Sequence, residues 1–135
     1  MTLSADIRRA IETHLAAMDN VPVIAWENAA FTPDPDVPFL RARLSFERKA
    51  AALGVNAPQL WTGELQLTIH APDKKGAGEA DAVADELLAH FAIGSVISQG
   101  DVRVICNEAT RSAGSNENGR YIVPATIGWR SYTGE

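Results

Sequence analysis

The chain reads as an α+β fold, a mostly antiparallel sheet with two helices packed on one face. Three observations predict it. Two segments, around Ile7–Met18 and Ala80–Phe91, space their apolar residues at the helical period. Three longer segments, starting at Phe39, Trp61 and Tyr121, alternate apolar with polar residues, the period of a strand that buries one face. Loops join the second strand to the third and the fourth to the fifth, which favours antiparallel hairpins. The element order is therefore α-β-β-β-α-β-β, and a length of 135 residues fits one domain over 1–135.

Each element has a local reason. Ile7, Ile11, Leu15 and Met18 share one face of the first helix, which Ser4 can cap and which stops near Asp19-Asn20, ahead of Pro22. About fifteen residues are marginal as an isolated helix, so packing of that face must hold it. Val23–Trp26 is the first strand. Phe31–Pro38 carries Pro33, Pro35 and Pro38, whose fixed φ and missing donors exclude a helix, leaving a stiff surface segment. In the second strand, Phe39–Glu47, residues Leu40, Ala42, Leu44 and Phe46 face one way and Arg41, Arg43, Ser45 and Glu47 the other. Ala50–Pro58, with Gly54, Asn56 and Pro58, reads as a mobile connection.

The third strand, Trp61–His70, turns Trp61, Gly63, Leu65, Leu67 and Ile69 inward. After a Gly- and Pro-containing turn, Ala80, Val83, Ala84, Leu87, Leu88 and Phe91 form the apolar stripe of a second helix, Glu79–Phe91. Its acidic first turn suits the positive end of the helix dipole, and Gly94 marks a stop. Val102, Val104 and Cys106 alternate with Arg103, Ile105 and Asn107 in the fourth strand. Arg111–Gly119 is a polar loop, and Tyr121–Tyr132 is the last strand, where Pro124 predicts an edge position or a bulge.

Composition narrows the function. With 46% apolar and 21% charged residues the chain can bury a core without staples. Cys106 is its lone cysteine, which excludes an intrachain disulfide and fits a reducing compartment. A net charge of −5 lacks the basic footprint of a duplex-DNA binder. No apolar run approaches the ~20 residues that span a bilayer, and the N-terminus has no signal-peptide pattern. These features predict a soluble, cytoplasmic chain that does not engage a membrane.

Few groups converge as catalytic chemistry would require. His14, His70 and His90 lie far apart in sequence with no i, i+4 pair, and read as surface or partly buried histidines rather than metal ligands. Lys74-Lys75-Gly76-Ala77-Gly78 precedes a helix but lacks P-loop and dinucleotide spacing, so it reads as a helix-entry turn. Cys106 among valines is a small core residue, and the three tryptophans belong to the core or to an interface. Arg41 and Arg43 differ in kind, because they share the outward face of a strand beside the proline segment. They read either as a solvated face or as ion-pair donors to a neighbouring subunit.

Three pieces, taken in order, carry a resemblance. Trp26-Glu27-Asn28 is followed by Phe31 and Pro33. Trp61-Thr62-Gly63-Glu64-Leu65-Gln66-Leu67 leads to Gly76-Ala77-Gly78 and an alanine-rich helix. Ile127-Gly128-Trp129 closes the series. Together they resemble the tail-terminator family of long-tailed bacteriophages, minor tail proteins that cap a finished tail tube. The resemblance implies a structural virion protein that forms a hexameric ring on the tube end, stops polymerisation and offers the head-docking surface. It implies the major tail-tube protein and a head–tail connector as partners, assembly in the host bacterial cytoplasm, no cofactor, no metal and no catalysis.

A ring needs two different, complementary edges on each subunit. The expected edges are Phe31, Pro33, Arg41 and Arg43 on one side, and the acidic helix face with Asp81 and Asp85 on the other. Negative subunits would let DNA pass through the ring without sticking. The alternatives are a head–tail connector or neck completion protein, and a small α+β ligand-binding domain or enzyme, which would require a deep pocket with convergent polar groups.

Overall fold

The computed structural model describes residues 3–34, 36–50, 59–72, 76–117 and 119–133. Helix α1 spans Leu3–Ala16 and α2 Gly78–His90. The strands are β1 (Val23–Trp26), β2 (Phe39–Ala50), β3 (Gln59–Pro72), β4 (Val96–Gln99), β5 (Val102–Arg111), β6 (Ser115–Glu117) and β7 (Arg120–Thr133). They form one sheet in the order β1-β2-β3-β7-β5-β4, with β6 also paired to β7. Every pairing is antiparallel except β1 with β2, which is parallel.

The alternating sequences explain which face is buried. Leu40, Ala42 and Leu44 stand beside Ile69, Leu67 and Leu65, which in turn stand beside Val123, Ala125 and Ile127. All nine are buried, and they share one core with Ile7, Ile11, Leu15 and Met18 of α1 and its C-terminal turn and with Ala80, Ala84 and Leu87 of α2. Both helices therefore cover the same face, as expected. Burying each larger aliphatic side chain contributes roughly 1.5–3 kcal/mol before conformational entropy is counted, enough to hold two helices that are marginal alone. Trp129 is buried, its indole lying where a Cβ at Gly63 would stand, so Gly63 makes room for it.

The structure corrects several expectations. Two short strands are additional to the five expected: β4 lies between the helix stop at Gly94 and the strand starting at Val102, and β6 lies within Arg111–Gly119, which was expected to be a polar loop. Strand β7 is neither an edge nor bulged at Pro124, since it runs between β3 on one side and β5 and β6 on the other. The Pro124 carbonyl accepts the Ser112 N–H, so its missing donor faces the gap between the end of β5 at Arg111 and the start of β6 at Ser115. Proline is tolerated centrally because no ladder bond is due there. The sheet's irregularity falls in β5, between Cys106 and Glu108. The expected mobile connection at Ala50–Pro58 lies outside the described residues from position 51 onward, as do Pro35, Lys74 and Lys75.

Candidate subunit interface

Parallel pairing of β1 and β2 dictates the most unusual surface. Residues 27–38 must return from the end of β1 to the start of β2, and they cross the face that carries no helix. Phe39 lies on that face in line with Arg41, yet is 4% exposed, because Phe31 of the crossover packs on it with ring centroids 4.9 Å apart. His70 of β3 stacks on the Phe39 ring at 4.4 Å with planes 7° apart. The Arg120 guanidinium sits 4.8 Å from the same ring and donates to the carbonyls of Asp34 (2.5 Å) and Val37 (3.1 Å), pinning the crossover to β7. Burial lowers the His70 pKa, and the positive charges of Arg41 and Arg120 lower it further, while Glu117 opposes them.

A second latch secures the beginning of the crossover. The Glu27 carboxylate accepts from the backbone N–H of Leu44 at 2.7 Å and from Arg8 of α1 at 2.8 Å. Burial alone would raise the Glu27 pKa. The Leu44 and Arg8 bonds and the charges of Arg8 and Arg43 outweigh it, leaving the group below the usual carboxylate value.

The expected interface residues fall into two separated sets. Phe31, Pro33, Arg41 and Arg43 come together on the helix-free side, where Pro33, Arg41 and Arg43 are exposed and Phe31 is half-buried. Asp81 and Asp85 lie on α2, in the layer covering the opposite face. Asp81 is already engaged, accepting from Arg111 of β5 at 2.8 Å, whereas Asp85 is exposed.

Sequence reasoning missed two arrangements. His14 and His90, from the last turns of the two helices, stack at 3.9 Å, and each Nε2 bonds the other's backbone carbonyl, at 2.9 and 2.6 Å. They close the helix C-termini on each other: His14 gives the His90 carbonyl at the end of α2 a partner, while the His14 carbonyl takes the His90 ring in addition to the Ala17 N–H. Their 76-residue separation hides the pair from any local pattern. The second is the pair of sheet edges. Among the described residues the exposed large apolar side chains are Val23 and Val37 beside β1, and Ile93 and Val96 beside β4. Val23, Phe31, Thr32, Asp34, Val37 and Pro38 line an open groove of about 280 Å³ over Phe39. This groove is shallow and apolar, without convergent catalytic groups, and among the described residues no cluster of three or more metal-ligating side chains forms.

Comparison with known proteins decides the setting of this surface. The family model for phage tail terminator proteins matches residues 6–129. The chain belongs to the phage tail terminator family. A solved structure superposes on this family member with a TM-score of 0.77 and 26% sequence identity, covering 96% of each chain. A search of curated proteins found no match. Family membership makes the crossover, the arginine face and the open edges surfaces of a structural component of a phage tail. No helix among the described residues is long and apolar enough to cross a membrane.

Proposed function

We propose that this terminator assembles as a ring of six copies on the end of the tail tube, stops tube polymerisation there, and offers the surface on which the head docks. The observation that carries the reading is the family match over residues 6–129. The architecture supports it. A closed ring joins unlike edges of identical subunits, and this sheet ends in two different short strands, β1 and β4. The crossover with Phe31 and Pro33, together with Arg41 and Arg43, is the proposed contact with other virion subunits, and the α2 face with Asp81 and Asp85 a second contact outside the sheet plane. The partners are further copies of the chain, the major tail-tube protein and the head–tail connector. DNA passes through without specific binding, a reading supported by the −5 charge of each copy. Assembly takes place in the host cytoplasm.

The test is addition of the purified chain to polymerising tail-tube protein. Capped tubes that no longer elongate are expected, with ring density at one end in electron micrographs. Continued elongation with the chain bound elsewhere, or unbound, would refute the proposal.

A further inference from the structure

We propose that copies of this chain join edge to edge, the β4 edge of one subunit entering the groove beside β1 of the next, so that Ile93 and Val96 meet Val23, Val37 and Phe31. The inference rests on the ring reading and names the contact that closes it. β1 and β4 are the two terminal strands of the sheet, and each offers backbone groups on its open side that no strand pairs among the described residues. The exposed large apolar groups divide between these edges, with Val23 at 55% and Val37 at 40% on one, and Ile93 at 68% and Val96 at 55% on the other.

Strand parity makes the two edges compatible. Val23 is level with Phe39 on the helix-free face. Val96 is level with Ile105, which is level with Arg130, Thr62 and Glu47, again on the helix-free face. In a sheet continued from one subunit to the next, both valines project from the same side. The chain of pairings also makes β1 and β4 point the same way, so a rotation that carries one subunit onto its neighbour brings them side by side as parallel strands. That contact is heterologous, as a ring requires.

Charge complements the apolar fit. The Asp34 carboxylate lines the groove and accepts only the Asp36 N–H among the described residues. Arg103, level with Ser98 of β4, is exposed and among those residues donates only to the carbonyls of Gly100 and Val102. Neither Asp34, near the β1 edge, nor Arg103, on the strand next to β4, makes an ion pair among the described residues, and the two are opposite in sign. The edge strands are four residues long, about 13 Å each at the usual rise, so backbone pairing alone is small and the apolar and charged groups select the partner.

Cysteine cross-linking tests the contact, because the native Cys106 is buried. Val23→Cys and Val96→Cys are made singly and together, assembled on tail tubes, and treated with a short bis-maleimide. The double variant is expected to give a ladder of linked species ending at the closed ring. Each single variant alone stays unlinked, and a mixture of the two singles gives only linked pairs. Arg103→Glu is expected to lower the linked yield by about tenfold, and Asp34→Lys in the same chain to restore it. Rings visible on the tubes without links between positions 23 and 96, or single variants that link to themselves, would overturn the edge contact while leaving the ring intact. Absence of rings as well as links would overturn both readings.

Discussion

At the scale of single residues, the fold depends on a few positions where one atom decides the outcome. A Cβ at Gly63 would collide with the Ser45 carbonyl oxygen and lie 2.5 Å from the Trp129 ring, and the backbone cannot yield as a flexible side chain could. Gly63→Ala is expected to cost about 1–3 kcal/mol through overpacking, read as a lower urea midpoint with an unchanged slope. Arg41 and Arg43 are the opposite case. Their side chains are exposed on the helix-free face, so Arg41→Glu with Arg43→Glu should shift stability by only about 0.5 kcal/mol while blocking ring formation or tail completion. Normal tails from the double variant would remove these arginines from any interface.

The histidines give stability a pH dependence. Burial lowers the His14 pKa, aided by the neighbouring His90 charge and opposed by the His90 carbonyl, and burial also lowers that of His70. A histidine with a lowered folded-state pKa binds fewer protons than in the unfolded chain. Its contribution is therefore complete above the ordinary value of 6.5 and is lost as pH falls toward the folded-state values. Glu27, lowered below its ordinary 4.5, adds a second loss at still lower pH. Urea midpoints should fall between about pH 8 and pH 5, and His14→Asn with His70→Asn should flatten that slope. A flat profile in the unsubstituted chain would contradict this origin.

At the scale of elements, legibility followed length and alternation. Strands β2, β3 and β7 run for 12 to 14 residues, long enough for a period of two to stand out, and both helices showed their buried stripes. Strands β4 and β6 have four and three residues, too short for any period to register. Their signal lay in the connections instead. Gly100-Asp101 joins β4 to β5, and Asn118-Gly119 separates β6 from β7, both two-residue hairpin sequences. The parallel pairing of β1 with β2 was invisible because the three prolines described the crossover's stiffness and not its path. Phe31, Pro33, Arg41 and Arg43 were readable as one surface. The Asp81–Arg111 pair and the stacked histidines were not, since they join residues 30 and 76 positions apart.

Short and long strands should also differ in local stability. The residues of β6 are all exposed and pair with β7 alone, whereas Leu65, Leu67 and Ile69 are buried in a strand flanked on both sides. Amide exchange at Ser115–Glu117 should be far faster than at Leu65–Ile69 in the isolated chain. Assembly on a tube is expected to slow it if neighbours order this hairpin. Equal protection in the free subunit would contradict the difference in stability.

At the scale of the whole molecule, the sheet presents two problems that a terminator has to solve. Under the proposed function it binds the growing end of a tube and gives the next tube ring no surface to continue on. A helix layer on one face, a polar face crossed by the Phe31–Val37 segment on the other, and two short unlike edges suit a unit that closes on copies of itself and then stops. The most direct measurement is the tail-tube length distribution in a phage lacking this gene, taken by electron microscopy. Tubes of excessive or irregular length that fail to join heads are expected. Tubes of normal length that lack only heads would contradict a role in termination and make the chain a neck protein.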